Sequence, residues 1–263
     1  MVMKVEILQS CMFSTPEQML ERCKNQCDTL VINQADTTDL VEWTPTDRNG
    51  EPFAYRFMTT TERGLSRSRN MAINNSHGDV CVLCDDDEIL EPDIKEKVTS
   101  AFEQYPEADV IAFQVKGLTR QPADHPFRAN YLHAMRFASV QLAFRLKSIQ
   151  SKGIRFDEKM GSGTGNGCGE ENKFMFDCLK SGLRMQYVPV HIATLIPSSE
   201  SQWWNGFTKE FFINRGWATR RYMGWFLATA YAAYYAFVKR KKYDMSVFKA
   251  FSYILRGIYV KPQ

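Results

Sequence analysis

Short apolar runs alternate with amphipathic stretches over the first two hundred residues. Lys4–Leu8 and Leu30–Asn33 read as strands. Between them, Ser14 or Thr15 ahead of Pro16, with Glu17 in the first turn, marks a helix start. Phe53–Met58 is a third, partly alternating strand, whereas residues 36–52, rich in Asp, Thr, Pro and Gly, read as loop. Arg63–Asn74 has a helical pattern and His77-Gly78-Asp79 is a turn. Val80–Cys84 is apolar throughout, the mark of a strand buried on both faces, and it stops at Asp85-Asp86-Asp87-Glu88. A helix after Pro92, strands at Val110–Val115 and Val140–Phe144, a helix over Glu170–Ser181 ended by Gly182, and a strand at Arg184–Val188 complete the series. Strands alternating with helices predict an α/β fold with a mainly parallel, doubly wound sheet and ligands at the strands' C-terminal ends.

The pattern changes near residue 200, so residues 1–200 are expected to form the body and residues 201–263 a helical extension. From Trp203 to Gln263 there are 11 basic and 2 acidic side chains, and 18 of the chain's 34 aromatic residues. The overall charge of +3 over 263 residues hides this split between a basic, aromatic tail and a mildly acidic body. Gly224–Val238 runs 15 residues without a charge, with Arg220-Arg221 before it and Lys239-Arg240-Lys241-Lys242 after it. That is short of the roughly 20 residues a spanning helix needs. It fits a helix lying on an anionic membrane surface, or a buried helix of the domain. Nucleic acid is not an expected partner, because no binding motif accompanies the charge.

A hydrophobic content of 44% supports a sizeable core, and no apolar run reaches bilayer length. The first residues lack the pattern of a secretory signal, and the seven scattered cysteines suit a reducing compartment. The expected location is the cytoplasm, with peripheral association at the inner face of the cell membrane. Cys81 and Cys84 should point to opposite faces of their strand and so not share a metal.

Four successive acids at Asp85–Glu88 repel one another unless a divalent cation sits among them. Hard oxygen ligands suit Mg²⁺ or Mn²⁺ bridging to phosphates. The alternative is a solvated acidic turn. Arg63, Arg67 and Arg69 lie near a helix start beside Gly64, Ser66 and Ser68. Free N–H groups and guanidinium forks there would take phosphate, the alternative being an exposed basic helix. Both features together match a nucleoside diphosphate. Gly161–Gly169 has glycine at every second position but does not fit the dinucleotide fingerprint. It runs into Glu170 and Glu171, which read either as acids complementing a helix dipole or as proton acceptors.

The stretch Arg63-Gly64-Leu65-Ser66-Arg67-Ser68-Arg69-Asn70, followed by Gly78-Asp79 and by the apolar strand into Asp85-x-Asp87-Glu88, resembles the GT-A glycosyltransferases of family 2. Ser68 stands where that family commonly has Ala, and Glu88 where its Asp-x-Asp-Asp motif ends. The resemblance runs from about Lys4 to about Val190. It implies a Rossmann-like GT-A fold, a nucleotide-sugar donor (a UDP-sugar foremost), and inverting transfer to a hydroxyl of a glycan or lipid-linked glycan. Members of this size build bacterial capsule, exopolysaccharide or O-antigen chains. On the family pattern Asp85 and Asp86 face the nucleotide, and Asp87 with Asp85 holds Mn²⁺ or Mg²⁺, His191 being a further candidate ligand. Asp36 lies at the base, Cys11 and Met12 line its pocket through backbone atoms, Arg63 belongs to the donor-binding set, and Arg69 sits near the phosphates or the metal-holding carboxylates. The acidic pair Glu170-Glu171 supplies the catalytic base, with the choice between them open. Two other classes bear on the same residues. A sugar nucleotidyltransferase would carry a glycine-rich basic loop after the first strand, which Leu8–Phe13 lacks. A non-catalytic membrane scaffold would use the tail but have no need of the carboxylates.

Overall fold

The computed structural model describes residues 3–118, 123–166, 169–196 and 206–261. Ten strands form one sheet. β1 (Val5–Met12), β2 (Thr29–Gln34), β4 (Tyr55–Thr60) and β5 (Val80–Asp85) are parallel neighbours in the order β4-β2-β1-β5. β3 (Asp39–Trp43) closes one edge antiparallel to β4. Beyond β5 come β9 (Leu142–Arg145), β7 (Val110–Lys116), β10 (Met185–Leu195) and β6 (Glu88–Leu90), with β8 (Phe127–Ala129) beside the start of β10. β9 is antiparallel to both its neighbours, while β7 and β10 run parallel. The mainly parallel α/β sheet expected from the hydrophobic pattern is therefore present.

Burial explains why β5 is apolar from Val80 to Cys84. Cys81 and Leu83 pack into the core on one face, against α2 (Leu65–Asn75) and α6 (Glu170–Lys180). Val80, Val82 and Cys84 pack on the other, against α3 (Ile94–Gln104). The two cysteines do lie on opposite faces. α1 (Pro16–Cys23) begins at Thr15, whose hydroxyl and the side chain of Gln18 cap each other's backbone N–H.

Three expectations need correction. Residues 36–52 are not all loop, because β3 forms there. Its residues are mostly exposed, so pairing with β4 rather than burial holds it, and composition alone hides it. The strand expected at Val140–Phe144 is shifted, with a 3₁₀ turn over Ser139–Gln141 leading into β9. Gly224–Val238 is not one straight helix. Gly224 breaks helical geometry at φ 76° inside α7 (Lys209–Ala233), and Tyr234–Val238 winds into a π-turn. The body–tail boundary expected at residue 200 lies outside the described residues.

α7 joins the body through Trp217 and Tyr222, which enter the main core. Lys180 also donates to the Tyr222 carbonyl, and Arg221 pairs with Asp157. α8 (Val247–Tyr259) returns along α7 at backbone contact. A Cβ on Gly216 would stand 2.0 Å from the Ile254 carbonyl oxygen, and one on Gly257 would stand 1.9 Å from that of Ile213. No helix among the described residues is long and apolar enough to cross a membrane. Gly216→Ala should force the helices apart, costing about 1–3 kcal/mol. Thermal unfolding should show Tm lower by several degrees; an unchanged Tm would mean the helix pair contributes nothing to the cooperative unit.

Candidate active site

Parallel strands deliver their C-terminal ends to one edge of the sheet. The register aligns Ser10 with Asp85, Met12 with Gln34, and Gln34 with Thr60. The segments that follow, residues 11–13, 34–36, 60–64 and 85–88, therefore lie side by side.

The helix after β4 ties this edge to the rest of the site. Its polar side chains reach β1, residues 156–160 and the start of α6. The Ser66 hydroxyl donates to the Met160 carbonyl at 2.8 Å, and Ser68 meets Ser10 at 2.8 Å across hydroxyls. The Asn70 amide exchanges two hydrogen bonds with the Phe156 backbone, at 2.8 and 2.9 Å. Arg69 is 2% exposed, and its guanidinium donates to both Asp85 carboxylate oxygens at 3.0 and 3.2 Å, to Glu170 Oε1 at 3.2 Å and to Ser139 Oγ at 2.8 Å. Burial alone would lower its pKa, but Asp85 and Glu170 outweigh that and hold it above the usual range.

The three arginines expected at a phosphate-binding helix start each have a carboxylate partner in this structure. Arg63 pairs with Asp36 at 2.6 Å, Arg67 with Glu158 at 3.5 Å, and Arg69 with Asp85 and Glu170. The first N–H groups are also taken, that of Gly64 by Gln34 Oε1 at 2.6 Å and that of Leu65 by the Ser162 carbonyl at 3.1 Å. The glycine-rich segment thus lies over the start of α2. Gly161, at φ 91°, has room for no side chain, since a Cβ would meet the Glu170 carboxyl carbon at 3.1 Å. Gly167 and Cys168 of this segment lie outside the described residues.

The acidic run divides by burial. Asp86 and Asp87 are both held above the usual carboxylate range, by burial first and then by neighbouring carboxylates. Asp86 also has Arg22 at 3.9 Å. Glu88 is 1% exposed, and burial followed by the Asp85 charge pushes its pKa well up. Its Oε2 accepts from the Asp85 N–H at 3.2 Å, and Oε1 has no partner. Glu88 is thus a buried brace under the turn.

His191 stands apart from that turn. Ala193 pairs with Leu90, and His191 lies two residues further from the acids, 3.0 Å from Glu91 and 3.3 Å from the Thr194 hydroxyl. No three metal-ligating side chains converge among the described residues. A divalent cation here would take one or two of the exposed carboxylates and complete its sphere with phosphate oxygens and water, as Mg²⁺ commonly does. The hard oxygen donors fit that role, and a cation would offset the repulsion among Asp85, Asp86 and Asp87 that, after burial, raises the proton affinity of the last two.

At the end of β1, Cys11 is 3% exposed and turns its thiol inward, where burial pushes the pKa up to about 12. Met12 is half exposed and lines an open hollow of about 660 Å³ with Phe13, Ser14, Gln18 and Arg22. Phe13 was not expected here. It is 63% exposed, adopts the left-handed region at φ 48°, and has the Arg63 guanidinium 5.3 Å above its ring. Its signal in the sequence is faint: an aromatic residue directly after a buried strand and before a helix cap.

On the other side, Glu170 is 5% exposed and saturated, with Oε1 on Arg69 and Oε2 on the Gly169 N–H at 3.1 Å. Glu171 is half-buried, and its pKa is pushed up to about 8 by burial and by the Glu170 charge.

A mainly parallel sheet ending in an acidic turn, with a buried arginine and a second acidic pair beside it, agrees with the GT-A class that the sequence resemblance implies. The model of glycosyl transferase family 2 matches residues 13–158, more than half of the chain, and the protein belongs to that family. The fold is also similar to solved structures of S. aureus TarS. Residues 1–349 of TarS in complex with UDP match over 98% of this chain and 81% of theirs, with TM-score 0.62 and 12% identity. The complex with UDP-GlcNAc matches over 98% and 73%, with TM-score 0.60 and 12% identity. No curated protein matches the chain in sequence.

Removing the buried cation should leave Glu170 charged and uncompensated. Arg69→Met should therefore cost about 3–5 kcal/mol of stability in urea unfolding. Arg67→Met on the same helix, half-exposed, should cost under about 1 kcal/mol. Equal effects would show that the Arg69 network is not structural.

Proposed function

We propose that this glycosyltransferase moves a sugar from a UDP-sugar to a hydroxyl of a glycan or lipid-linked glycan, with inversion at the anomeric carbon. The observation that carries the reading is the gathering of an exposed acidic turn, the Asp36–Arg63–Phe13 stack and the Glu170–Glu171 pair around one sheet edge. The family assignment and the nucleotides bound by TarS support the donor class.

Phe13 and Arg63 offer a stacking surface for the base, with Asp36 beside them to accept from a base N–H. Asp87 with Asp85 would hold Mn²⁺ or Mg²⁺. When bound, the cation neutralises charge on the leaving diphosphate. Asp86, at the rim with Arg22, faces the nucleotide. The acceptor oxygen forms its bond to the anomeric carbon as the bond to the β-phosphate oxygen breaks. The diphosphate leaves with the electron pair, and the acceptor proton passes to a carboxylate. Glu170 is committed to Arg69 and Gly169, so the proton acceptor is Glu171, whose raised pKa makes it a stronger base than an ordinary carboxylate.

Two measurements test this. Glu171→Gln should lower kcat by about 10²–10⁴-fold and leave donor affinity nearly unchanged. Because the base must be deprotonated, kcat/KM of the native enzyme should rise with pH and level off above about 8. A flat profile, or near-native turnover in the variant, rejects Glu171. In calorimetry with UDP and Mn²⁺, Asp87→Asn should lose most of the metal-dependent binding. Unchanged affinity places the cation elsewhere.

A further inference from the structure

The last two helices carry an apolar face that no described part of the chain covers. Trp225, Phe226 and Leu227 follow the Gly224 break and are 61%, 69% and 56% exposed. Phe226, Ala230, Tyr234 and Phe237–Val238 recur at spacings of three and four, so they share one side, and all are exposed. Ala228, Ala232 and Tyr235, on the opposite side, pack with Ala250, Ile254 and Ile258 of α8. From α8, Phe248 is 75% exposed and its ring meets that of Phe237 at 6.1 Å, so the stripe crosses both helices. Large apolar groups this contiguous mark an interaction surface rather than ordinary solvent-facing protein.

The surrounding charge selects the partner. Lys239, Arg240, Lys241 and Lys242 follow Val238 directly, the last three exposed, and no carboxylate pairs with any of them among the described residues. Lys249 and Arg256 add exposed cations along α8. Only Glu210 and Asp244 are acidic between residues 206 and 261. Arg220 and Arg221, expected to flank a membrane helix, do not belong to this set. Arg220 donates to the Ile258 carbonyl and Arg221 pairs with Asp157, so both are structural. Tyr231 also turns inward, its hydroxyl accepting from Arg215 at 2.8 Å.

We propose that this face docks on an anionic lipid surface, with Phe226, Tyr234, Phe237 and Phe248 seated among the head groups and Lys239–Lys242 on the lipid phosphates. The proposal stands independently of the transferase reading, since its readout is lipid binding. A lipid-linked acceptor would make the docking useful, because it brings the acceptor to the enzyme within the plane of the membrane.

Flotation of the full chain with phosphatidylglycerol-containing or pure phosphatidylcholine vesicles tests it. The protein should float with the anionic vesicles at low salt, remain at the bottom with neutral ones, and release as salt screens the charges. Lys241→Gln and Lys242→Gln should each weaken binding about fivefold. The double variant Phe226→Ser/Phe237→Ser should abolish flotation. Both substitutions lie on exposed positions, so thermal unfolding and UDP binding should stay native. Failure to float with anionic vesicles at low salt overturns the proposal. So does a dimer in sedimentation analysis that the same serine substitutions dissociate without any lipid binding, which would give the face to a second copy of this chain.

Discussion

The site depends on one buried guanidinium. Arg69 sits in the core with a carboxylate on either side, half-buried Asp85 and buried Glu170, and Glu170 could not be buried there without it. Through Asp85 it holds the end of β5, and through Glu170 the start of α6. Two elements distant in sequence are thus set at one separation from each other by a rigid cation. The same contact decides chemistry. Burial, and then the Glu170 carboxylate beside it, raise the proton affinity of Glu171, and Arg69 offsets part of that rise.

Burial likewise divides residues that look alike along the chain. Asp85, Asp86, Asp87 and Glu88 are consecutive acids, yet Glu88 lies buried under the turn with its proton affinity raised, and Asp87 faces solvent. The extra methylene of Glu88 lets its carboxyl reach back to the Asp85 N–H. The arginines diverge in the same way: one is a core cation, one an exposed pair, and one a lid over an aromatic ring. The serines between them, and Asn70 after the last, act as struts to β1 and to residues 156–160.

The helical extension is tied to this body on its inner side only. Trp217 and Tyr222 enter the core, and two glycines let α8 lie against α7 at backbone distance. The aromatic excess of the tail is thereby split. One set of rings builds a small core with Phe212 and Tyr243, and the other, beginning at Trp225, remains on the surface beside the lysines.

The sequence by itself determined the architecture and the place of the site. A wholly apolar run needs two covered faces, so Val80–Cys84 had to be an interior strand, and an acidic run straight after it had to lie at the sheet's C-terminal edge. The motif around Arg63–Asn70 was equally legible as a family signature. Only the tertiary structure decided which charges pair. Asp36, Glu158 and Glu170 lie 27, 91 and 101 residues from the arginines they neutralise, a separation that no local pattern encodes. It also decided that β3 exists, that Phe13 stands exposed under Arg63, and that His191 goes to Glu91 rather than to the acidic turn. Periodicity reports which face of an element is buried. The partner of a charge, and therefore its protonation, depends on what the rest of the chain brings beside it.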